Sequence, residues 1–192
     1  EVEPLSSSEL DISDSAAVLE AVKKAKPGII INPAAYTKVD LAEKEKDRAY
    51  AVNALGAENL AKAAKETGCS MVHVSTDFVF DGRSPVPCVE EAQTNPLSVY
   101  GASKLAGEKS VAAATDAHVI VRTSWLYGVE GHNFVKTILR LASDREVLRI
   151  VYDQTGTPTW SADLATAIVG ICKSIEAGKK PWGIYHYSNE GV

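Results

Sequence analysis

The strongest constraint on this chain is a series of short apolar runs, rich in valine and isoleucine, set between longer stretches of helical pattern. The runs are Ile29 to Asn32, Met71 to Ser75, His118 to Arg122, Val147 to Val151 and Ile184 to Tyr187. They are nearly continuous rather than alternating, which suits strands covered on both faces. Strands that alternate with helices give a parallel sheet with helices packed on each side. The predicted class is therefore α/β, a doubly wound parallel sheet. At 192 residues the chain has room for one such domain with a small appended lobe.

The helical stretches are bounded by recognisable signals. One runs from Ser15 to Ala25 and is stopped by Pro27 and Gly28. A second runs from Glu43 to Glu66, with Ala51, Ala54, Ala57, Ala61 and Ala64 at three- and four-residue steps and Gly68 as C-cap. A third opens near Ser98 and continues to Ala114, and a fourth covers Asn133 to Ala142. A fifth follows Ser161, read as its N-cap. The segment Asp81 to Pro96, rich in proline and polar residues, reads as a loop.

Composition excludes several classes. With 20 basic and 25 acidic residues the formal charge is −5, and the one small basic run, Lys23, Lys24 and Lys26, falls at a helix end where cations are favoured. A weakly acidic chain without a basic stripe argues against nucleic-acid binding. Cys69, Cys88 and Cys172 are odd in number and widely spaced, so they form neither a disulfide framework nor a zinc knuckle. Reduced thiols fit a cytoplasmic protein. His73, His118, His132 and His186 lack metal-ligand spacing, so no metal site is predicted; His73 and His118 fall inside apolar runs and are expected to be packed. No apolar run is long enough to span a membrane, and no signal-peptide pattern is present.

Chemistry is suggested where two features coincide. Tyr100 and Lys104 are four residues apart and share one helix face. An ammonium near a phenol favours the phenolate and brings it towards proton exchange near neutral pH. The run Met71 to Val74 ends in Ser75-Thr76-Asp77, and in open parallel sheets ligands bind beyond the carboxyl ends of the strands.

Several blocks, in order, resemble the dTDP-4-dehydrorhamnose reductase family of extended short-chain oxidoreductases. Ser75-Thr76-Asp77-Phe78-Val79-Phe80-Asp81-Gly82 is similar to a block usually written S-T-D-Y-V-F-D-G. Asn95 to Gly101 and Lys104-Leu105-Ala106-Gly107-Glu108 resemble the family's catalytic helix. Arg122 to Gly128, Asn133-Phe134-Val135 and Asp153 to Thr159 resemble later blocks. The resemblance implies a Rossmann-like fold: residues 1–152 as NAD(P)-binding domain, and 153–192 as the start of a substrate-binding lobe with a returning helix and strand. It implies NADPH- or NADH-dependent reduction of the 4-keto group of a deoxysugar nucleotide, most directly dTDP-4-dehydro-L-rhamnose to dTDP-L-rhamnose. A sugar-nucleotide substrate and a homodimer are the partners it suggests, and it admits Mg2+.

The resemblance also assigns roles. Thr76 would hydrogen-bond the reacting carbonyl, Tyr100 would donate the proton, and Lys104 would hold the nicotinamide ribose and tune Tyr100. Asp77, Trp125 and Asn133 would contact the sugar nucleotide. Asp11 and Ile12 resemble the strand end that meets adenine. Ala34, Ala35, Tyr36 and Thr37 resemble a turn whose small residues let the cofactor approach, with Pro33 in place of the usual alanine. Asn53 resembles an asparagine that braces the active site. One departure is plain: no glycine-rich opening for the pyrophosphate occurs anywhere in the chain. The chain opens at Glu1-Val2-Glu3-Pro4, past where that unit would lie, and the expectation is a first βαβ unit and a C-terminal end missing from this sequence. Two other readings stay open: a sugar-nucleotide epimerase or reductase of another specificity, and a non-catalytic subunit such as the regulatory subunit of methionine adenosyltransferase.

Overall fold

The central sheet is parallel throughout, in the order β1 (Ile29–Asn32), β2 (Ser70–Thr76), β3 (His118–Thr123), β6 (Gly183–Tyr187). A computed structural model describes residues 2–191. Strands β4 (Leu126–Tyr127) and β5 (Thr159–Trp160) form a separate parallel pair. The helices are α1 (Ser15–Ala25), α2 (Val39–Ala42), α3 (Lys46–Tyr50), α4 (Ala57–Thr67), α5 (Val99–Ala114), α6 (Phe134–Asp144) and α7 (Ser161–Glu176).

Continuous apolar strands make sense once their two faces are separated. Met71 and Ile120 face α1, α4 and α5, in a cluster with Val18, Val22, Leu60 and Val111. Val72, Val119 and Val121 face the other side and meet Leu164 and Ile168 of α7. Side chains alternate across a strand, so a strand buried on both sides must be apolar at nearly every position. The expected doubly wound architecture is thus present. Of the segment 153–192, α7 and β6 pack on the main sheet, β6 lying beside β3 with Val121 opposite Tyr185.

Two expected elements differ. Val147 to Val151 is irregular and exposed, with Val147 at 74% and Val151 at 67%. The place beside β3 is taken by β6, and an apolar run with no partner for its backbone groups does not become a strand. The helix expected from Glu43 to Glu66 begins at Lys46 and widens into a π-helical turn over Ala51–Gly56 before continuing as α4. Such turns mark places where a side chain must be re-aimed, here Asn53. Gly68 caps α4 at φ 74°, as predicted. Ser161 is the first residue of α7 rather than its cap; the cap is Trp160, because β5 runs directly into the helix.

Candidate active site

The site is built on the carboxyl end of β2 and the first turns of α5. Thr76 ends β2, and its side chain accepts from the Phe78 N–H (3.2 Å), capping the short 3-10 turn Asp77–Val79. Its hydroxyl donates to Asp77 Oδ1 at 3.0 Å. Burial pushes the Asp77 carboxyl up, and the Thr76 hydroxyl opposes that.

Ser98 caps α5 through the Gly101 N–H at 3.1 Å. Gly101 then permits close contact: a Cβ there would lie 2.2 Å from the Phe78 carbonyl oxygen, so a larger residue would push α5 off the turn. The Tyr100 ring stands edge-on to Phe78 with centroids 5.4 Å apart. Lys104 is 2% exposed and donates from Nζ to the Val74 carbonyl at 2.7 Å. Burial lowers its pKa from the ordinary 10.5 to about 8, against the pull of Glu108. Tyr100 departs from expectation: its phenol is raised rather than lowered, first by burial and then by Asp77, with only the Thr76 hydroxyl acting the other way. The Lys104 ammonium is engaged on the strand backbone, so desolvation of the phenol dominates. Tyr100 therefore holds its proton at neutral pH.

A second wall rises from β1. Asn32 Oδ1 accepts from the Ala34 N–H at 3.1 Å, turning the chain out of the strand. Pro33, Ala34 and Thr37 are exposed and Ala35 half-buried, whereas Tyr36 is buried with its hydroxyl donating to Glu45 (2.9 Å). Asn53 is 1% exposed, and its amide is fully engaged: Oδ1 accepts from the Tyr36 N–H at 2.7 Å, while Nδ2 donates to the Tyr36 carbonyl and to Ser103 Oγ. It holds the turn against α5. Asp11 is exposed, its carboxyl kept low by the Ser13 hydroxyl and N–H, and Ile12 is anchored where Asn59 Nδ2 donates to its carbonyl at 3.0 Å.

Trp125 follows β3, whose end pairs Thr123 with Thr76. It has φ 45°, a left-handed conformation rare for a bulky residue, and is 45% exposed. The structure thus gathers Thr76, Asp77, Tyr100 and Lys104, with the Ala34–Thr37 turn and Trp125 on the neighbouring strand ends. Asn133 differs: it caps α6 through the Lys136 N–H (3.0 Å) and donates to the Gly128 carbonyl (2.8 Å), which occupies both ends of its amide.

Sequence reading missed a buried polar network beneath the site. Ser75 Oγ donates to Glu108 Oε1 at 2.5 Å, and Arg122 donates to both Glu108 oxygens, at 3.0 and 2.7 Å. Arg122 also donates to the Glu90 carbonyl and lies over the Phe80 ring, while Glu90 Oε1 accepts from the His186 N–H. Spacing held a signal, since Glu108 repeats the four-residue step from Tyr100 to Lys104. The described residues hold no group of three or more His, Cys, Asp or Glu that could bind a metal ion, and nothing in them supports the Mg2+ that the resemblance admits. No helix among them is long and apolar enough to cross a membrane.

A parallel sheet wound on both faces, with a hydroxyl, a phenol and a buried ammonium at its strand ends, defines a Rossmann-like α/β protein. More narrowly, the chain belongs to the family described as the RmlD substrate binding domain, which matches residues 1–192. It is 45% identical over 191 residues to the dTDP-4-dehydrorhamnose reductase of Aggregatibacter actinomycetemcomitans, covering 99% of this chain and 65% of that protein. It is similar to the solved dTDP-4-dehydrorhamnose reductase of Bacillus anthracis in complex with NADP: TM-score 0.92, 45% identity, 100% of this chain and 66% of that one. A Clostridium acetobutylicum dTDP-4-dehydrorhamnose reductase structure gives a TM-score of 0.93 at 43% identity, again with 100% of this chain and 66% of that one. The chain thus spans slightly less than two thirds of these relatives.

Proposed function

We propose that this chain forms the catalytic wall of an NAD(P)H-dependent reductase of 4-keto-deoxysugar nucleotides, converting dTDP-4-dehydro-L-rhamnose to dTDP-L-rhamnose. One observation carries the reading: a phenol that keeps its proton stands beside Thr76, above a buried Lys104, at the carboxyl ends of parallel strands. A general acid must hold a proton at working pH and sit beside the group it protonates.

The residues present fit the two ends of a dinucleotide. Lys104 and Tyr100 would meet the nicotinamide ribose, the small side chains of Ala34 and Ala35 would allow close approach, and the exposed Asp11 carboxylate and Ile12 would lie at the adenine side. When bound, NAD(P)H supplies the hydride. Tyr100 delivers the proton from Oη to the carbonyl oxygen. The Thr76 hydroxyl, which donates to Asp77 in the resting arrangement, turns to that oxygen and holds it. Trp125 offers an exposed aromatic face to the sugar nucleotide. On this reading residues 1–152 are the cofactor side and 153–192 begin the substrate lobe before α7 and β6 return to the main sheet, in a cytoplasmic enzyme whose homodimer is testable by sedimentation. The deciding assay mixes the intact protein, NADPH and a 4-keto-deoxysugar nucleotide, without a partner protein. Cofactor oxidation with formation of the 4-hydroxy sugar is expected. Binding of both ligands without turnover would point to a non-catalytic subunit.

A further inference from the structure

The polar groups beneath Lys104 are bonded in an order that leaves one arrangement of protons. The Ala34 N–H donates to Asn32 Oδ1, so Asn32 Nδ2 is the atom turned to His73, 3.0 Å from Nδ1. An amide nitrogen donates, so His73 Nδ1 must accept. The ring proton then sits on Nε2, and an imidazolium would set two donors against each other. His73 is fully buried, and its Nε2 has no hydrogen-bond partner.

The ring faces α5. Ser75, two residues along, reaches Glu108 on that helix, and alternate side chains of a strand share a face. Lys104 Nζ ends on the carbonyl of Val74, the residue between them. Lys104 is the charge that acts on the ring; Tyr100 and Glu108 share α5 with it, Arg122 lies on β3 behind Glu108, and Asp77 follows the strand end. From β1 comes the Asn32 amide, and Ile120 lies alongside on β3. Burial first, and then the Lys104 charge, hold the imidazole well below its ordinary range.

We propose that His73 is a positioning residue for the cofactor: in its Nε2–H form it ties the Ala34–Thr37 turn, through Asn32, to the strand segment that anchors Lys104. This rests on reading those two elements as an NAD(P)H-binding wall. Without an acceptor at Nδ1, the buried Asn32 amide loses its partner and its orientation, and the Ala34 N–H loses a fixed acceptor. The two parts of the wall then no longer keep one spacing.

Two variants and one spectrum of the intact protein test this. His73→Leu removes the acceptor at similar volume; His73→Gln restores a carbonyl acceptor and an N–H donor. Fluorescence titration with NADPH should show affinity falling about fivefold to tenfold in the leucine variant and less than about twofold in the glutamine variant. The affinity for the sugar nucleotide should stay unchanged in both. Nitrogen-15 NMR of histidine-labelled wild-type protein should show His73 protonated at Nε2 and not titrating near the ordinary imidazole value. A ring protonated at Nδ1, or one titrating near the ordinary value, overturns the proposal. So does wild-type NADPH affinity in the leucine variant, or a parallel fall for both ligands that follows lost stability and marks a purely structural role. Wild-type protein that binds no NADPH overturns the cofactor reading and the positioning role with it. The spectrum still reports whether the Asn32–His73 lock exists, so the two failures remain distinguishable.

Discussion

Helices α5 and α6 make opposite use of their residues. α5 buries Gly101, Ser103, Lys104, Gly107, Glu108 and Val111, yet its apolar residues are not gathered on one side. α6 has a well-separated apolar face and buries nothing: Phe134 and Leu139 are each 67% exposed. Amphipathic pattern is usually taken as the mark of a packed helix. Here the pattern is weak in α5 because its inward face carries the polar groups of the site, each held by a named partner. Lys104 has the Val74 carbonyl, and Glu108 has Ser75 and Arg122. A buried polar residue is tolerable only with such partners, so the least amphipathic helix is the one most tightly specified by long-range contacts.

This contrast can be tested in order of expected effect. The largest change is Tyr100→Phe on α5, which removes the phenolic proton but keeps the ring packed on Phe78. In the intact protein turnover should fall by roughly 10²–10⁴-fold with little loss of sugar-nucleotide binding; near-normal turnover would remove Tyr100 from the mechanism.

Next is Glu108→Ala, which leaves the Arg122 guanidinium, 5% exposed, without its carboxylate. Urea denaturation should show a loss of about 3–5 kcal/mol. The double replacement Glu108→Leu with Arg122→Met should recover most of that, because the penalty lies in the orphaned charge.

Smaller, and opposite in sign, is Lys104→Met. The folded-state pKa is about 8 against an ordinary 10.5, so between those values the folded chain binds fewer protons than the unfolded one. Stability contributed by this position therefore rises as pH climbs from about 8 towards 10.5, and below 8 the full cost of a buried ammonium applies. After allowing for the lost hydrogen bond to Val74, the variant should be more stable than wild type by about 1–2 kcal/mol at pH 7. The difference should narrow across that window in thermal melts. A variant destabilised equally at every pH would show that Lys104 is a net structural support.

The smallest effect belongs to α6. Leu139→Ser should change stability by less than about 0.5 kcal/mol, since the side chain is mostly in solvent. A large loss would mean that this face is covered in solution and would erase the contrast.

The same distinction explains what could be read beforehand. Ile29 to Asn32 matches β1, and the runs at Met71, His118 and Ile184 fall within a residue or so of β2, β3 and β6, because burial on both faces writes itself directly into sequence. Thr76, Tyr100 and Lys104 were legible from a strand end and a helical spacing, both local signals. The tie between Asn53 and Tyr36 spans 17 residues, and that between His73 and Asn32 spans 41, so neither leaves a periodic trace. Val147 to Val151 carries the composition of a strand, but composition says nothing of whether a neighbouring strand has a free edge. The direction in which the Tyr100 phenol is shifted differs from expectation for a related reason. Spacing places Lys104 near the phenol, but only the fold shows that its ammonium points to a backbone carbonyl instead.

Trp125 carries one more consequence. Its left-handed backbone suits glycine or asparagine better than an indole-bearing residue, by about 1 kcal/mol. Its ring also sits so close over Gly156 that a Cβ there would lie 2.9 Å from it. A library of variants at position 125 selected only for thermal endurance should therefore drift to glycine or asparagine, while one selected for turnover in the proposed reaction should return to tryptophan. Where two selections applied to one codon diverge in this way, the residue is being kept against the preference of its own backbone.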